Sequence, residues 1–347
     1  MKRVIYVFFI LVFSCTVLMG CINQKPKLIE EAKELCFSKN DLNIEKADYG
    51  EIAYKYLQEI QSFYPARIAG SAREKDMAVF LISAILNGGY EEKDIEVHTF
   101  EIDDSVPAQG ESIKNVFDSG EKSNLSQNIE VIKKGESEKT IIVGAHYDSV
   151  GTYGVDDNGS GVAVVLENVL RMVDESPFYT IKYVFFGSEE IGMYGSRSYV
   201  EKLTSKEKDN IVLMINVDTI LAGDNLYMYG GKVNRDGNVD NSEAVFEAYD
   251  IVKELGLNIQ LPPKGNNDYP YPTGQKRSDH APFNDVDIPY IYFEANNWIN
   301  GNSSETEKNG LIMHTDLDDL AFIESEYGER ARKNIKEYSL LLDALIN

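Results

Sequence analysis

The residues of this 347-residue chain best suited to chemistry stand at the ends of apolar runs. His146 follows the run 140–145, Glu189 and Glu190 come just after 181–186, and Asp218 closes 211–217. Between the first two, Val155-Asp156-Asp157-Asn158-Gly159-Ser160-Gly161 crowds two acids, an amide and small residues where a strand hands over to a helix. His314 follows the last strand-like run, 289–293, across a loop. Asp, Asn, Gly and Ser also build ordinary capping turns, so the 155–161 run alone identifies nothing. In an open α/β sheet, however, the carboxyl ends of the strands line one crevice. Oxygen and nitrogen donors meeting there suit a borderline divalent metal, zinc foremost.

The elements that must position these groups follow from periodicity. Ile52, Tyr56, Leu57, Ile60 and Phe63 have helical spacing, ended by Pro65; Met77, Phe80, Leu81, Ala84 and Ile85 mark a second helix, ended at Gly88-Gly89. Residues 95–100 alternate like a strand, with 129–132 as the neighbour. The runs 140–145, 181–186 and 211–218 read as strands covered on both faces. Residues 162–173, 242–255 and 330–346 read as helices, and 225–229 and 289–293 as further strands. The alternation predicts an α/β fold: a single globular domain over 47–347, its central sheet mostly parallel or mixed and covered by helices on both faces. Two long connections, 261–279 and 294–313, carry Tyr269, Tyr271 and Trp298; connections of that length are usually functional or mobile.

Composition narrows the partners. The formal net charge is −23, which disfavours nucleic acid and anionic surfaces as electrostatic partners. Lys2-Arg3 precede an apolar run, 4–19, that is short for a membrane span and built like a signal peptide over 1–20. It ends Leu18-Met19-Gly20-Cys21, which resembles the lipobox of bacterial lipoproteins. That resemblance implies cleavage before Cys21, a lipid on that cysteine and a place on the outer face of the membrane, or secretion if the box is not used. Residues 21–46 then read as a polar tether with a helical turn or two. Cys36 would be the one thiol left, so no disulfide framework is expected.

Taken together, the motifs resemble the co-catalytic di-zinc aminopeptidase family, which includes secreted leucyl aminopeptidases and aminopeptidase Y. The residues carrying the resemblance are 145–149 (AHYDS), 156–161 (DDNGSG), 185–190 (FFGSEE), 192–196 (GMYGS), 216–218 (NVD), 278–283 (SDHAPF) and 314–318 (HTDLD). Arg67-Ile68-Ala69-Gly70-Ser71 is similar to a segment near the start of the family's domain. The resemblance implies two Zn2+ ions, replaceable by cobalt or manganese, with His146 and Asp218 on one, Glu190 and His314 on the other, and Asp157 bridging. Asp156 competes for the bridge; the family's bridging aspartate precedes the residue-Gly/Ala-Ser-Gly turn, which selects Asp157 and implies a non-proline cis peptide after it. Glu189 is then the general base acting on a zinc-activated water. Asp148 and Asp318 are implied to fix His146 and His314. His280 is not a ligand in the family, and His98 lies apart from the acidic groups.

The implied reaction is hydrolysis of the N-terminal residue from peptides outside the cell. An exopeptidase must recognise a free α-amine, for which Glu294 is the candidate; Tyr269, Tyr271 and Trp298 are candidates for the side-chain pocket. One departure stands out. Met313 occupies the position where some relatives carry a tyrosine that helps stabilise the tetrahedral intermediate, and methionine donates no hydrogen bond. Tyr269, Tyr271, a loop amide or zinc itself would have to serve. Competing readings are a glutaminyl cyclase with one zinc, a lipoprotein that binds peptides without cutting them, and a carboxypeptidase of the related folate type.

Overall fold

Nine strands pair into one sheet in the computed structural model, which describes residues 24–35, 44, 46–103, 119–265, 270–274, 278–299 and 302–347. The leader 1–20, Cys21 and Tyr269 lie outside the described residues. The strands are β1 (Ile95–Glu101), β2 (Leu125–Lys133), β3 (Ser137–His146), β4 (Tyr179–Phe186), β5 (Ile211–Val217), β6 (Asn225–Gly230), a small hairpin of β7 (Lys232–Val233) and β8 (Val239–Asp240), then β9 (Ile259–Gln260), β10 (Tyr290–Ile299) and β11 (Asn302–Ser304). Their order is β1-β2-β4-β3-β5-β10-β6-β9, with β11 on β10 and the β7–β8 hairpin separate. The central four, β4, β3, β5 and β10, run parallel, so their carboxyl ends share one edge.

Alternate residues of these strands bury on opposite faces. Ile141, Val143, Ile181, Phe185, Ile215 and Phe293 face a layer made by α2 (Glu51–Phe63), α3 (Ala72–Gly88), α4 (Gly161–Arg171) and α9 (Leu320–Ile346). Ile142, Val184, Phe186, Met214, Tyr290 and Tyr292 face the other side. There Tyr199 and Val200 of α5 (Tyr194–Lys202) and Phe283 of α8 (His280–Asp285) cover them. The remaining helices are α6 (Ser205–Asn210) and α7 (Glu243–Leu255). The mixed α/β domain with helices on both faces is thus the architecture observed.

Three segments differ from the sequence reading. Within the stretch read as a tether, Gln24–Glu34 forms helix α1, with Leu28, Ile29 and Ala32 buried and Lys75 of α3 paired to Glu31 at 2.8 Å. Its apolar stripe is only three residues wide, too short to stand out among lysines and glutamates. Strand β10 continues through Glu294-Ala295-Asn296, pairing with β6 as far as Asn225, where polar residues read as loop. Helix α9 starts at Leu320, ten residues early: Leu320, Ile323 and Tyr327 are buried in it, but Glu324-Ser325-Glu326 and Gly328-Glu329-Arg330 break up the apolar pattern before Ala331.

Candidate metal centre

The shared strand edge collects His146 from β3, Glu189 and Glu190 from the turn after β4, and Asp218 from the end of β5. The turn Val155–Ser160 adds Asp157, and the segment before α9 adds His314. Two groups result. His146 Nε2 lies 3.2 Å from Asp157 Oδ1 and 3.3 Å from Asp218 Oδ1. His314 Nε2 lies 2.9 Å from Asp157 Oδ2 and 3.0 Å from Glu190 Oε2. Within each group the donor atoms fall within 4.8 Å of one another, and Asp157 gives one oxygen to each. The peptide bond between Asp157 and Asn158 is cis.

The donor set fits divalent zinc. His314 Nε2 stands near two carboxylates yet is aligned for a hydrogen bond with neither, and buried Glu190 Oε1 has no partner among the described residues. Converging unpaired lone pairs of this kind are what a cation satisfies, and imidazole with carboxylate is a zinc-type set. Electrostatics agree. Burial works against the Asp157 charge, yet the His146 and His314 imidazoles hold its carboxyl far below the usual range. Burial and the neighbouring Asp157 push Glu190 up to about 7. Burial would lower the His314 imidazole, but Asp157 and Glu190 outweigh it and lift it to about 12. The pocket attracts positive charge.

Each segment bearing a candidate ligand is held by a buried acid that is not itself in either group. Asp148 accepts the N–H groups of Glu189 (2.9 Å) and Glu190 (3.1 Å), and its Oδ1 lies 3.5 Å from His146 Nδ1. Asp318, implied by the resemblance to fix His314, instead accepts the N–H groups of Val155 (2.8 Å), Asp156 (2.6 Å) and Asp157 (3.3 Å). It therefore sets the Asp157 turn. Asp156 in turn accepts Leu221 and Ala222 N–H, just beyond Asp218. Asp218 itself receives hydroxyl bonds from Ser278 (2.6 Å) and Thr219 (2.9 Å). Ser188 (φ 56°) and His314 (φ 57°) hold left-handed conformations, uncommon outside glycine, at the two turns that aim Glu189 and the second imidazole.

Glu189 is buried beside both groups, and its carboxyl is raised well above the usual range by burial; Asp279, Glu190 and Asp218 add to the rise while His146 opposes it. Glu294 follows Phe293, the partner of Val217, so it lies next to Asp218 along the edge; it accepts the Tyr229 hydroxyl at 2.7 Å. Trp298 packs against the cluster containing Tyr229 and Tyr292. Tyr271 lies elsewhere, 6.2 Å from the Phe246 ring of α7 and under Lys264. His280 stacks between Tyr290 and Tyr292, and His98 faces Glu130 at 3.4 Å.

Sequence reading misses three residues here. Arg67 stands out in the sequence only as part of a motif; it is wholly buried and donates to the carbonyls of Tyr147 (2.6 Å), Tyr64, Tyr153 and Gly154, pinning the chain between His146 and Asp157. Glu74 accepts Gly70 N–H and the hydroxyls of Ser126 and Ser188. Glu305 accepts Ile312 and Met313 N–H. Glu74, three residues into a capped helix, gives a weak signal; Glu305, in a polar run, gives none.

A parallel-centred α/β sheet with two imidazole–carboxylate groups sharing one aspartate at its carboxyl edge defines a metallohydrolase site. Residues 128–339 match the sequence profile of peptidase family M28, and the chain belongs to that family. The alkaline phosphatase isozyme conversion protein of Escherichia coli K12 is 27% identical over 273 residues, 73% of this chain and 74% of that protein. Aminopeptidase YwaD of Bacillus subtilis is 32% identical over 220 residues; the match spans 60% of this chain but only 43% of YwaD. A zinc aminopeptidase structure from Bacillus subtilis superposes with a TM-score of 0.64 at 18% identity, covering 86% of this chain and 94% of that one.

Replacing Asp318 tests the bracing of the Asp157 turn. Asp318→Ala leaves three buried N–H groups without their acceptor, each worth about 1–3 kcal/mol when unsatisfied. Urea unfolding of the metal-free chain should show a loss of about 3 kcal/mol or more, with a smaller loss for Asp318→Asn, which keeps one accepting oxygen.

Proposed function

We propose that this protein removes N-terminal residues from peptides by metal-dependent hydrolysis outside the cell. The observation that carries the reading is Asp157, whose two oxygens each face a separate imidazole–carboxylate group. A single-ion acyltransferase would have no use for the complete His146–Asp157–Asp218 group beside Asp157–Glu190–His314. Relatives that are themselves named aminopeptidases support the reaction class.

Two zinc ions held by these five residues would supply Lewis acidity, polarising a peptide carbonyl and acidifying a water. The chain's own residues do the rest. Glu189, raised by its buried and acidic surroundings, takes the proton of the attacking water and passes it to the departing amine. Asp148 fixes Glu189 against Glu190 by holding both backbone N–H groups. Glu294, oriented by the Tyr229 hydroxyl, receives the free α-ammonium of the substrate, and Trp298 borders the pocket for its side chain. With Met313 at the tyrosine position, no side-chain hydroxyl from that residue assists the oxyanion. At the other end of the chain, Cys21 carries the lipid that keeps the mature protein on the outer face of the membrane.

Glu189→Gln should retain two zinc ions per chain by metal analysis while kcat falls by ~10²–10⁴ with KM little changed. An active variant, or one that loses metal, would refute the assigned role; Glu190→Ala should instead lose one ion. Glu294→Gln should raise KM for peptides with a free N-terminus by about 10–100-fold, the worth of a hydrogen bond to a charged group, and leave kcat close to wild type. Equal effects on kcat and KM would remove Glu294 from amine recognition. Intact-mass analysis of native protein should find a lipid-modified Cys21 as the first residue; an unmodified N-terminus on protein released into medium would contradict the anchor.

A further inference from the structure

Glu305 directly follows β11 and is fully buried. Its Oε2 accepts the N–H groups of Ile312 and Met313, the latter at 2.9 Å, immediately before His314. Among the described residues its Oε1 receives no N–H or hydroxyl. The carboxyl group lies instead within hydrogen-bonding reach of the Asp156 carboxyl. Both Asp156 oxygens are already engaged, by Leu221 N–H at 2.8 Å and Ala222 N–H at 3.1 Å. Glu305 and Asp156 thus form one fully buried pair of side chains. Three chain segments therefore meet at it: the one ending in His314, the turn holding Asp157, and the exit from β5 just past Asp218.

We propose that Glu305 is the positioning residue for His314: it docks the 312–314 segment onto Asp156 and so sets the Asp157–Glu190–His314 group, while His146–Asp157–Asp218 depends on other braces. This rests on reading His314 as a metal ligand. Asp148 beside His146, and Ser278 and Thr219 on Asp218, are the braces of the first group, and their hydrogen bonds among the described residues go elsewhere than the 305–314 segment. The bonding pattern also separates two conservative changes. Glu305→Gln can present its carbonyl to Ile312 and Met313 and its amide N–H to Asp156, keeping every contact. Glu305→Asp keeps the charge but withdraws it by one methylene, out of reach of both N–H groups or of Asp156.

The test uses the full chain stripped of metal. In a competitive zinc titration, Glu305→Asp should weaken one of the two ions by about 10–100-fold, the usual effect of removing a group that orients a ligand. The other ion should bind as in wild type, and Glu305→Gln should match wild type at both. A second readout needs no metal. The chain has four histidines, so ¹³C-labelled imidazole signals can be followed one by one. Glu305→Asp should shift His314 and leave His98, His146 and His280 in place. Equal weakening of both ions overturns the proposal. So does an unmoved His314 signal, a Gln variant as impaired as Asp, or a Glu305→Asp chain that fails to fold, since a positioning role predicts an intact fold. A wild-type chain that holds only one ion would sink the two-ion reading, whereas the histidine signals would still decide the role of Glu305.

Discussion

Buried carboxyl groups that accept backbone N–H bonds are the constraint on which the rest of this molecule depends. Asp148, Asp156, Asp318, Glu305 and Glu74 are almost wholly out of water, and each grips a turn rather than a basic side chain. Glu167 of α4, although also paired with Arg171, likewise holds the start of α2, where Gly50 offers no side-chain cap and the acid takes Gly50 and Ala53 N–H instead. A charge-assisted bond of this kind is roughly twice as strong as a neutral one. It also fixes two or three consecutive N–H groups at once, which orients a turn as well as holding it. Arg67, the one buried cation nearby among the described residues, works in mirror image by collecting carbonyls.

The sheet makes that scheme necessary. Four parallel strands deliver their carboxyl ends to one edge, but a strand end fixes a position and not a direction. His146 and Asp218 sit on the strands themselves or one residue beyond and need little extra support. Glu189, Glu190, Asp157 and His314 sit on turns, and the turns are where the acids gather. Rigid strands and braced turns together hold the two groups at atomic spacing, as a preorganised site requires.

Much of this is legible in the sequence. Runs such as 140–145 and 211–218 are apolar enough to be read as covered strands, and the residues just beyond each run can then be placed on one rim. Asp157 can be told from Asp156 only through the family resemblance, because both are acids in the same turn. The structure gives the physical difference: Asp157 points both oxygens at imidazoles, whereas Asp156 turns back onto Leu221 and Ala222 N–H. Partners remote in sequence stay hidden. Nothing near Glu305 announces that it will meet Asp156 almost 150 residues away, and Asp318 is bound to Asp157 by a contact that no local pattern encodes. Helix α1 escapes for a different reason: its three buried residues gain meaning only from the α3 surface they cover.

The surplus of acid around Asp157 has a consequence for the lifetime of the protein. Folding gathers many carboxyl groups into one dry pocket with little positive charge among the described residues to offset them, so the folded state is most favoured when cations bind there. Anything that binds only the folded chain stabilises it by RT ln(1 + [L]/Kd). Metal supply therefore governs how often the chain opens as well as how fast it works. Starved of zinc, such a molecule exposes its own backbone to neighbouring proteases more frequently, and its abundance falls along with its turnover.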